Sequence, residues 1–258
     1  MIDPRVRANK LVEEHHYSQI EFKTVPFTLK GFYSRKESKI PLRVYIEGDG
    51  RAYRSRYEIS KDPTPDHFLL LKLALNDPYP NVLYLARPCQ FVDLKNEKSC
   101  YQYFWTFGRY APEVVSSLDQ AINEFMQKNS FSRLELIGYS GGGALAVLLA
   151  KERKDVVNIR TIGGNLNHHL MEEYHETAPL EGSLDAINFV SEVENIPQIH
   201  YVGVDDNIVP YKMGQSYLAA AVKKNCIKLK LVEDADHHSG WSDRWNEFLK
   251  ESPNCLAH

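Results

Sequence analysis

Residues 134–150 read LELIGYSGGGALAVLLA, and the fold follows from that stretch. Leu134, Leu136 and Ile137 give an apolar run of strand length, the glycines around Ser140 give a turn, and residues 144–150 are strong helix formers. The order is buried strand, sharp turn, helix. At such an elbow a serine is held in strained backbone geometry with its hydroxyl over the end of a sheet, and glycines beside it spare the neighbouring strand and helix a Cβ. The helix begins directly behind Ser140, so its N-terminal N–H groups and partial positive charge favour an anion formed there. Ser140 is the candidate nucleophile. A Gly-x-Ser-x-Gly string also occurs in ordinary turns, so the reading rests on the flanking strand and helix and on partners elsewhere in the chain.

Outward from the elbow, strand and helix patterns alternate. Upstream, Leu42, Val44 and Ile46 form a short strand ending in Glu47-Gly48-Asp49-Gly50. Asp62-Pro63-Thr64-Pro65 then opens a helix with an apolar stripe at Phe68, Leu69, Leu71, Leu73 and Leu75, which Asn76-Asp77-Pro78 stops. A strand over residues 82–86 follows, and Pro112 opens a long helix with Glu113 in its first turn. Downstream come a strand over 156–162, an irregular stretch with a helix near 184–193, a strand over 199–204, a helix over 213–224, a strand over 227–232 and a last helix over 243–250. Before all of these, residues 1–18 predict an arm or helix. Alternation at Ile20, Phe22, Val25, Phe27 and Leu29 predicts an antiparallel hairpin, with a charged turn over 34–38. The pattern predicts an α/β fold: a mostly parallel central sheet with helices on both faces, in a single domain over 1–258. Residues 164–198 form a short insertion, too short for a large lid, so the site should be open.

An active serine needs a base to take its proton and an acid to hold that base in the right tautomer. The strand over 199–204 runs into GVDDNIVP, which offers Asp206 as the acid and Asp205 as the alternative. The strand over 227–232 runs into EDADHHSGW, which offers His237 as the base and His238 as its rival. Two backbone N–H groups must meet the developing oxyanion. Gly141, next to the serine, supplies one. The loop at 47–50 supplies the other, through Asp49 or, next, Gly50, although glycines needed for a tight turn would explain that loop equally well.

With 258 residues and 43% hydrophobic side chains, the chain is of ordinary size for one such domain. A net charge of −3 with scattered Lys and Arg argues against a nucleic-acid partner. No apolar run reaches the roughly eighteen residues of a membrane-spanning helix. Cys89, Cys100, Cys226 and Cys255 show no metal-binding spacing, and no metal or cofactor is expected. Cys89 and Cys100 enclose a short loop, to be bridged in an oxidising compartment or left as two reduced thiols.

Taken together, GYSGG, GVDDNIVP and DHHSGW resemble the elbow, acid loop and histidine loop of the α/β-hydrolase superfamily, over roughly residues 40–250. YIEGDGRAY, DPTP, YLARPCQ, YFWTFGRY, GGNLNH and IPQIHYVG look more narrowly like a group of uncharacterised bacterial α/β hydrolases. That resemblance implies a serine hydrolase acting on a small-molecule acyl ester without a cofactor. Peptidase, amidase or thioesterase chemistry on the same residues, or a non-catalytic envelope binding protein, are the alternatives. The absence of a spanning run predicts a soluble chain as given, and the resemblance implies a periplasmic or envelope-anchored place if a leader is removed, the alternative being a cytoplasmic one. Glu47 and Asp49 depart from the His-Gly or Gly-Gly loop of better-known lipases and esterases; an acid beside an oxyanion would repel it, so Asp49 points away or the substrate carries a positive group such as an amine. Arg109, in the aromatic segment 101–110, is a candidate partner for either acid, and that segment either walls a pocket or staples its loop to the core.

Overall fold

The computed structural model describes residues 2–36 and 39–256, so the charged turn expected over 34–38 lies partly outside the described residues, at Glu37 and Ser38. Helix α1 (Pro4–Glu14) starts with proline at its first turn and Asp3 as its cap, accepting the Arg5 N–H at 2.8 Å. The hairpin β1 (Ser18–Lys23) and β2 (Thr28–Arg35) then forms one edge of the sheet. After β3 (Leu42–Ile46) come a small hairpin, β4 (Tyr53–Ser55) and β5 (Glu58–Ile59), helix α2 (Leu69–Leu75) and strand β6 (Asn81–Leu85). The chain continues through α3 (Pro112–Asn129), β7 (Leu134–Tyr139), α4 (Gly141–Glu152), β8 (Val156–Ile162), α5 (His168–His175), α6 (Val190–Val193), β9 (Gln198–Gly203), α7 (Tyr211–Ala220), β10 (Ile227–Val232) and α8 (Trp245–Phe248).

The eight-stranded sheet has the order β1-β2-β6-β3-β7-β8-β9-β10, and from β6 to β10 every neighbouring pair is parallel. Its central strands are buried on both faces and so are largely apolar, and the charged Arg43 of β3 and Glu135 of β7 are paired with each other at 2.7 Å. In β3, Leu42, Val44 and Ile46 join one core with α3 and α4, while Tyr45 joins the opposite core with α1, α2 and Trp245 of α8. In β7, Leu134 and Leu136 face the first core, and Ile137 and Tyr139 the second. Helix α4 is buried from Gly141 through Ala150, between the sheet and residues 186–193, so only small and aliphatic side chains fit there.

Several boundaries differ from expectation. The helix expected near 184–193 is a 3-10 turn (Ala186–Phe189) running into α6, and the stretch before it holds α5, capped by Asn167 accepting the Leu170 N–H at 3.0 Å. Helix α7 stops at Ala220 because Glu194 captures the Val222 and Lys223 N–H groups at 2.9 and 3.1 Å. The helix expected over 243–250 is the single turn α8. Cys89 is bonded to Cys100, and a second disulfide, Cys226–Cys255, ties the C-terminal tail to the start of β10.

Candidate active site

Loops at the carboxyl ends of β3, β6, β7, β9 and β10 meet over β7. In a parallel α/β sheet this edge is where ligands bind. Ser140 stands at the turn between β7 and α4 with φ 52° and ψ −122°, a conformation a non-glycine residue adopts only when its surroundings impose it. Its N–H donates to the Ile162 carbonyl at 3.0 Å, and its carbonyl accepts from Gly143 at 2.9 Å and Asn165 at 3.0 Å. The backbone is therefore locked, while the hydroxyl is left to a side-chain partner. Glycine at 138 and 142 makes the turn possible: a Cβ on Gly138 would stand 2.2 Å from the Gly142 carbonyl oxygen, and one on Gly142 2.1 Å from the Ile46 carbonyl oxygen.

His237 Nε2 lies 3.0 Å from Ser140 Oγ, and His237 Nδ1 lies 2.8 Å from Asp206 Oδ2. The carboxylate can only accept, so the ring proton sits on Nδ1 and leaves Nε2 as an acceptor for the serine hydroxyl. Asp206 Oδ1 accepts the Ile208 and Val209 N–H groups at 2.9 and 2.7 Å, and the Asp206 side chain has no exposure to solvent. Burial and three donors thus hold the carboxylate in one rotamer. The loop bearing His237 is also clamped: the Tyr139 hydroxyl donates to the His237 carbonyl at 3.1 Å, and Asp236 Oδ1 accepts the His238 and Ser239 N–H groups, both at 2.7 Å.

The two alternatives lie elsewhere. Asp205 is exposed and donates its N–H to the Ala235 carbonyl. His238 turns its Nδ1 to the Tyr139 hydroxyl at 2.8 Å and stacks on His67, and partial burial together with the nearby His237 and His67 lowers its pKa.

Gly141 is the first residue of α4, with its N–H at the open helix end beside Ser140. In the loop after β3, the Gly48 N–H is already given to Glu47 Oε1 at 2.8 Å, so it is not available to an oxyanion. Gly50 has φ 62° and backs onto Pro63, where a Cβ would stand 2.1 Å from the carbonyl oxygen. Asp49 lies between them, with its carboxylate against Gly141. That carboxylate is engaged by Arg87 and by Arg109, the latter at 2.8 Å. Burial opposes its ionisation, but the two guanidinium groups override this and hold its pKa down to about 2. The negative charge next to the elbow is thereby compensated. Glu47 differs. Buried behind the loop, its pKa is pushed up to about 7 by burial, against the relief given by the Tyr84 hydroxyl at 2.5 Å and the Gly48 N–H.

The aromatic segment divides its work. Phe104 and Trp105 are buried, with the Trp105 indole N–H on the Ser60 carbonyl at 3.1 Å, so they staple the loop. Arg109 and Tyr110 reach the site instead, the Tyr110 hydroxyl lying 3.5 Å from Asp49 Oδ1. Sequence reading did not single out Tyr84, Tyr139 or Gln90 at this site. The RPCQ string that ends in Gln90 was a signal, because a proline turn directly after a central strand must lie at the same sheet edge. Among the described residues, His168, His169 and Glu172 have ligand atoms within 4.8 Å of one another. Those atoms serve each other, His168 Nδ1 lying 2.8 Å and His169 Nδ1 3.3 Å from the Glu172 carboxylate, as part of the start of α5.

No protein-family model matches the chain, and no curated protein sequence matches it. Solved structures do. Est1E from Butyrivibrio proteoclasticus superposes with a TM-score of 0.60 at 14% identity, over 90% of this chain and 97% of that one. An esterase from Pyrococcus furiosus gives 0.62 at 17% identity, over 93% and 92%. Acylaminoacyl peptidase from Pyrococcus horikoshii gives 0.66 at 14% identity, over 95% of this chain but 43% of that one. At these identities the likeness establishes the fold.

Proposed function

On the α/β-hydrolase fold thus established, we propose that the chain is a serine hydrolase that cleaves acyl esters through Ser140, His237 and Asp206. The observation that carries this reading is the run of contacts from Ser140 Oγ to His237 at 3.0 Å and on to Asp206 at 2.8 Å, on a serine held at φ 52°. His237 Nε2 takes the hydroxyl proton as Oγ attacks the acyl carbon. The resulting oxyanion is met by the Gly141 and Asp49 N–H groups, with the N-terminus of α4 adding its partial positive charge. Collapse expels the alcohol, to which His237 returns the proton, and leaves an acyl-enzyme. Water deprotonated by His237 then attacks, and the acid leaves with Ser140 restored. Asp206 keeps the ring in the working tautomer and stabilises the imidazolium between transfers.

Amide hydrolysis uses the same steps, and the likeness to acylaminoacyl peptidase keeps that reading in view. An amine-recognising acidic loop would have favoured it, but Asp49 is already matched by Arg87 and Arg109, which supports esters over aminoacyl amides. The two disulfides support maturation in an oxidising compartment. Among the described residues no helix is long and apolar enough to cross a membrane.

The test is hydrolysis of p-nitrophenyl esters from acetate to palmitate by wild type and Ser140→Ala. Turnover that disappears with Ser140 supports the reading, and the chain-length optimum sizes the acyl site. Esterase activity retained by Ser140→Ala overturns it. No turnover by wild type, together with no reaction with a fluorophosphonate, would favour a binding protein on this scaffold.

A further inference from the structure

The turn after β6 carries a buried side chain that the steps above do not use. Gln90 is 2% exposed. Its Nε2 donates to the Gly48 carbonyl at 3.0 Å, and its Oε1 accepts the Arg87 N–H at 3.1 Å. The partners fix which end is which, because the reversed amide would set oxygen against oxygen and N–H against N–H. A peptide unit is planar and trans, so the carbonyl of one residue and the N–H of the next point in opposite directions. With the Gly48 carbonyl turned to Gln90, the Asp49 N–H is directed to the other side. Gly48 and Asp49 also pack against the elbow: a Cβ on Gly48 would stand 3.1 Å from Ser140 Cβ, and one on Gly141 2.1 Å from Asp49 Oδ1.

Glycine at 48 gives this backbone the freedom to flip, and two side chains remove it. Glu47 holds the N–H of the peptide unit before Gly48, and Gln90 holds the carbonyl of the unit after it. The turn that presents Gln90 is itself costly. Cys89 and Phe91, on either side, have φ 72° and 59°. Strain of this kind persists only where surrounding bonds impose it. Cys89 is tied to Cys100, the Phe91 N–H donates to Thr64 Oγ1 at 2.9 Å, and the Gln90 N–H closes the turn on the Arg87 carbonyl at 3.1 Å.

We infer that Gln90 is a positioning residue for the hydrolysis proposed above: it pins the Gly48–Asp49 peptide with the Asp49 N–H facing the carbonyl that Ser140 attacks. The inference rests on that hydrolytic reading for its consequence and on the peptide geometry for its structure, and the two are separable by experiment.

Gln90→Glu keeps the acceptor for Arg87 and removes the donor to Gly48, while Gln90→Met keeps the length and removes both. Each is measured for thermal unfolding, for kcat and KM on the best p-nitrophenyl ester, and for the Asp49 amide cross-peak in a 1H–15N spectrum. The expected result is a folded protein whose kcat falls about 10- to 100-fold with little change in KM, since a misdirected oxyanion donor is missed only in the transition state. The Asp49 cross-peak moves in the same variants. A kcat within about twofold of wild type, or a loss carried by KM instead, overturns the inference. If wild type hydrolyses no ester, the hydrolytic reading fails, and the cross-peak alone decides the pinning: a shift in both variants supports it, and an unmoved peak overturns it.

Discussion

Replacing Asp206 by asparagine changes one atom at a fully buried position and sets two hydrogen-bonding demands against each other. Asp206 Oδ1 accepts the Ile208 and Val209 N–H groups at 2.9 and 2.7 Å, and Oδ2 accepts the His237 Nδ1–H at 2.8 Å. Asparagine has one oxygen to offer. If that oxygen stays with the two backbone donors, the NH2 group faces His237 and forces the proton from Nδ1 to Nε2. Nε2 then donates to Ser140 and no longer accepts its proton. If the amide turns over, His237 keeps its working tautomer, but two buried N–H groups face an NH2. Leaving two buried donors unpaired costs about 2–6 kcal/mol, so the first arrangement wins. The competent tautomer is then rarer by that amount, and kcat/KM falls about 30-fold to about 10⁴-fold at roughly 1.4 kcal/mol per factor of ten. The fold should be little disturbed, because every buried bond is kept in the favoured arrangement. Initial rates on a p-nitrophenyl ester, with the rate of fluorophosphonate labelling alongside, measure the effect. A variant retaining more than about a tenth of wild-type kcat/KM would refute the assignment of Asp206 and the tautomer argument together.

His237→Ala should lower kcat/KM by at least about 10³-fold, whereas His238→Ala stays within about fivefold, and equal losses would contradict the choice of base. Glu47, with its pKa raised from the ordinary 4.5 to about 7 by burial, makes the folded protein hold more protons than the unfolded chain between those values. Stability should therefore fall as pH rises from about 5 to about 8. Thermal midpoints of wild type and Glu47→Gln across that range check this, since the neutral variant should lose that part of the slope, and parallel curves would rule it out. Asp49→Asn leaves the guanidinium groups of Arg87 and Arg109, 4% and 14% exposed, without their carboxylate. Breaking such a buried pair costs about 3–5 kcal/mol, or a fall of about 6–20 °C in Tm by calorimetry, and an unchanged Tm would contradict the pairing.

The turn at Ser140 and the loops at Asp206 and His237 were legible because each is a short motif at the end of a strand, and because their order along the chain carries information. Asp206 and His237 lie in the run of contacts to Ser140, while Asp205 and His238, one residue away, turn elsewhere, a difference that only the folded loops set. The meaning of the acidic loop was not legible. Asp49 meets Arg87 and Arg109 across 38 and 60 residues, and only the folded sheet edge brings them together. The partner of Glu47 was hidden for the same reason, since Tyr84 reads as one more apolar position in β6. The hairpin of β4 and β5 has strands of three and two residues, too short for any periodicity to register. Helix α5, HHLMEEYH, carries no long apolar stripe, and only its Asn167 cap marked it. The Cys226–Cys255 bond depends on the tail folding back to the residue just before β10, a contact that no local pattern encodes.

The central claim is that Ser140 is an activated nucleophile, and the most direct measurement is where a fluorophosphonate attaches. Wild-type protein is incubated with the probe, digested and mapped by mass spectrometry. The account predicts a single adduct on Ser140, formed much more slowly in His237→Ala and absent from Ser140→Ala. No adduct on wild type, or one that persists in Ser140→Ala, would contradict it.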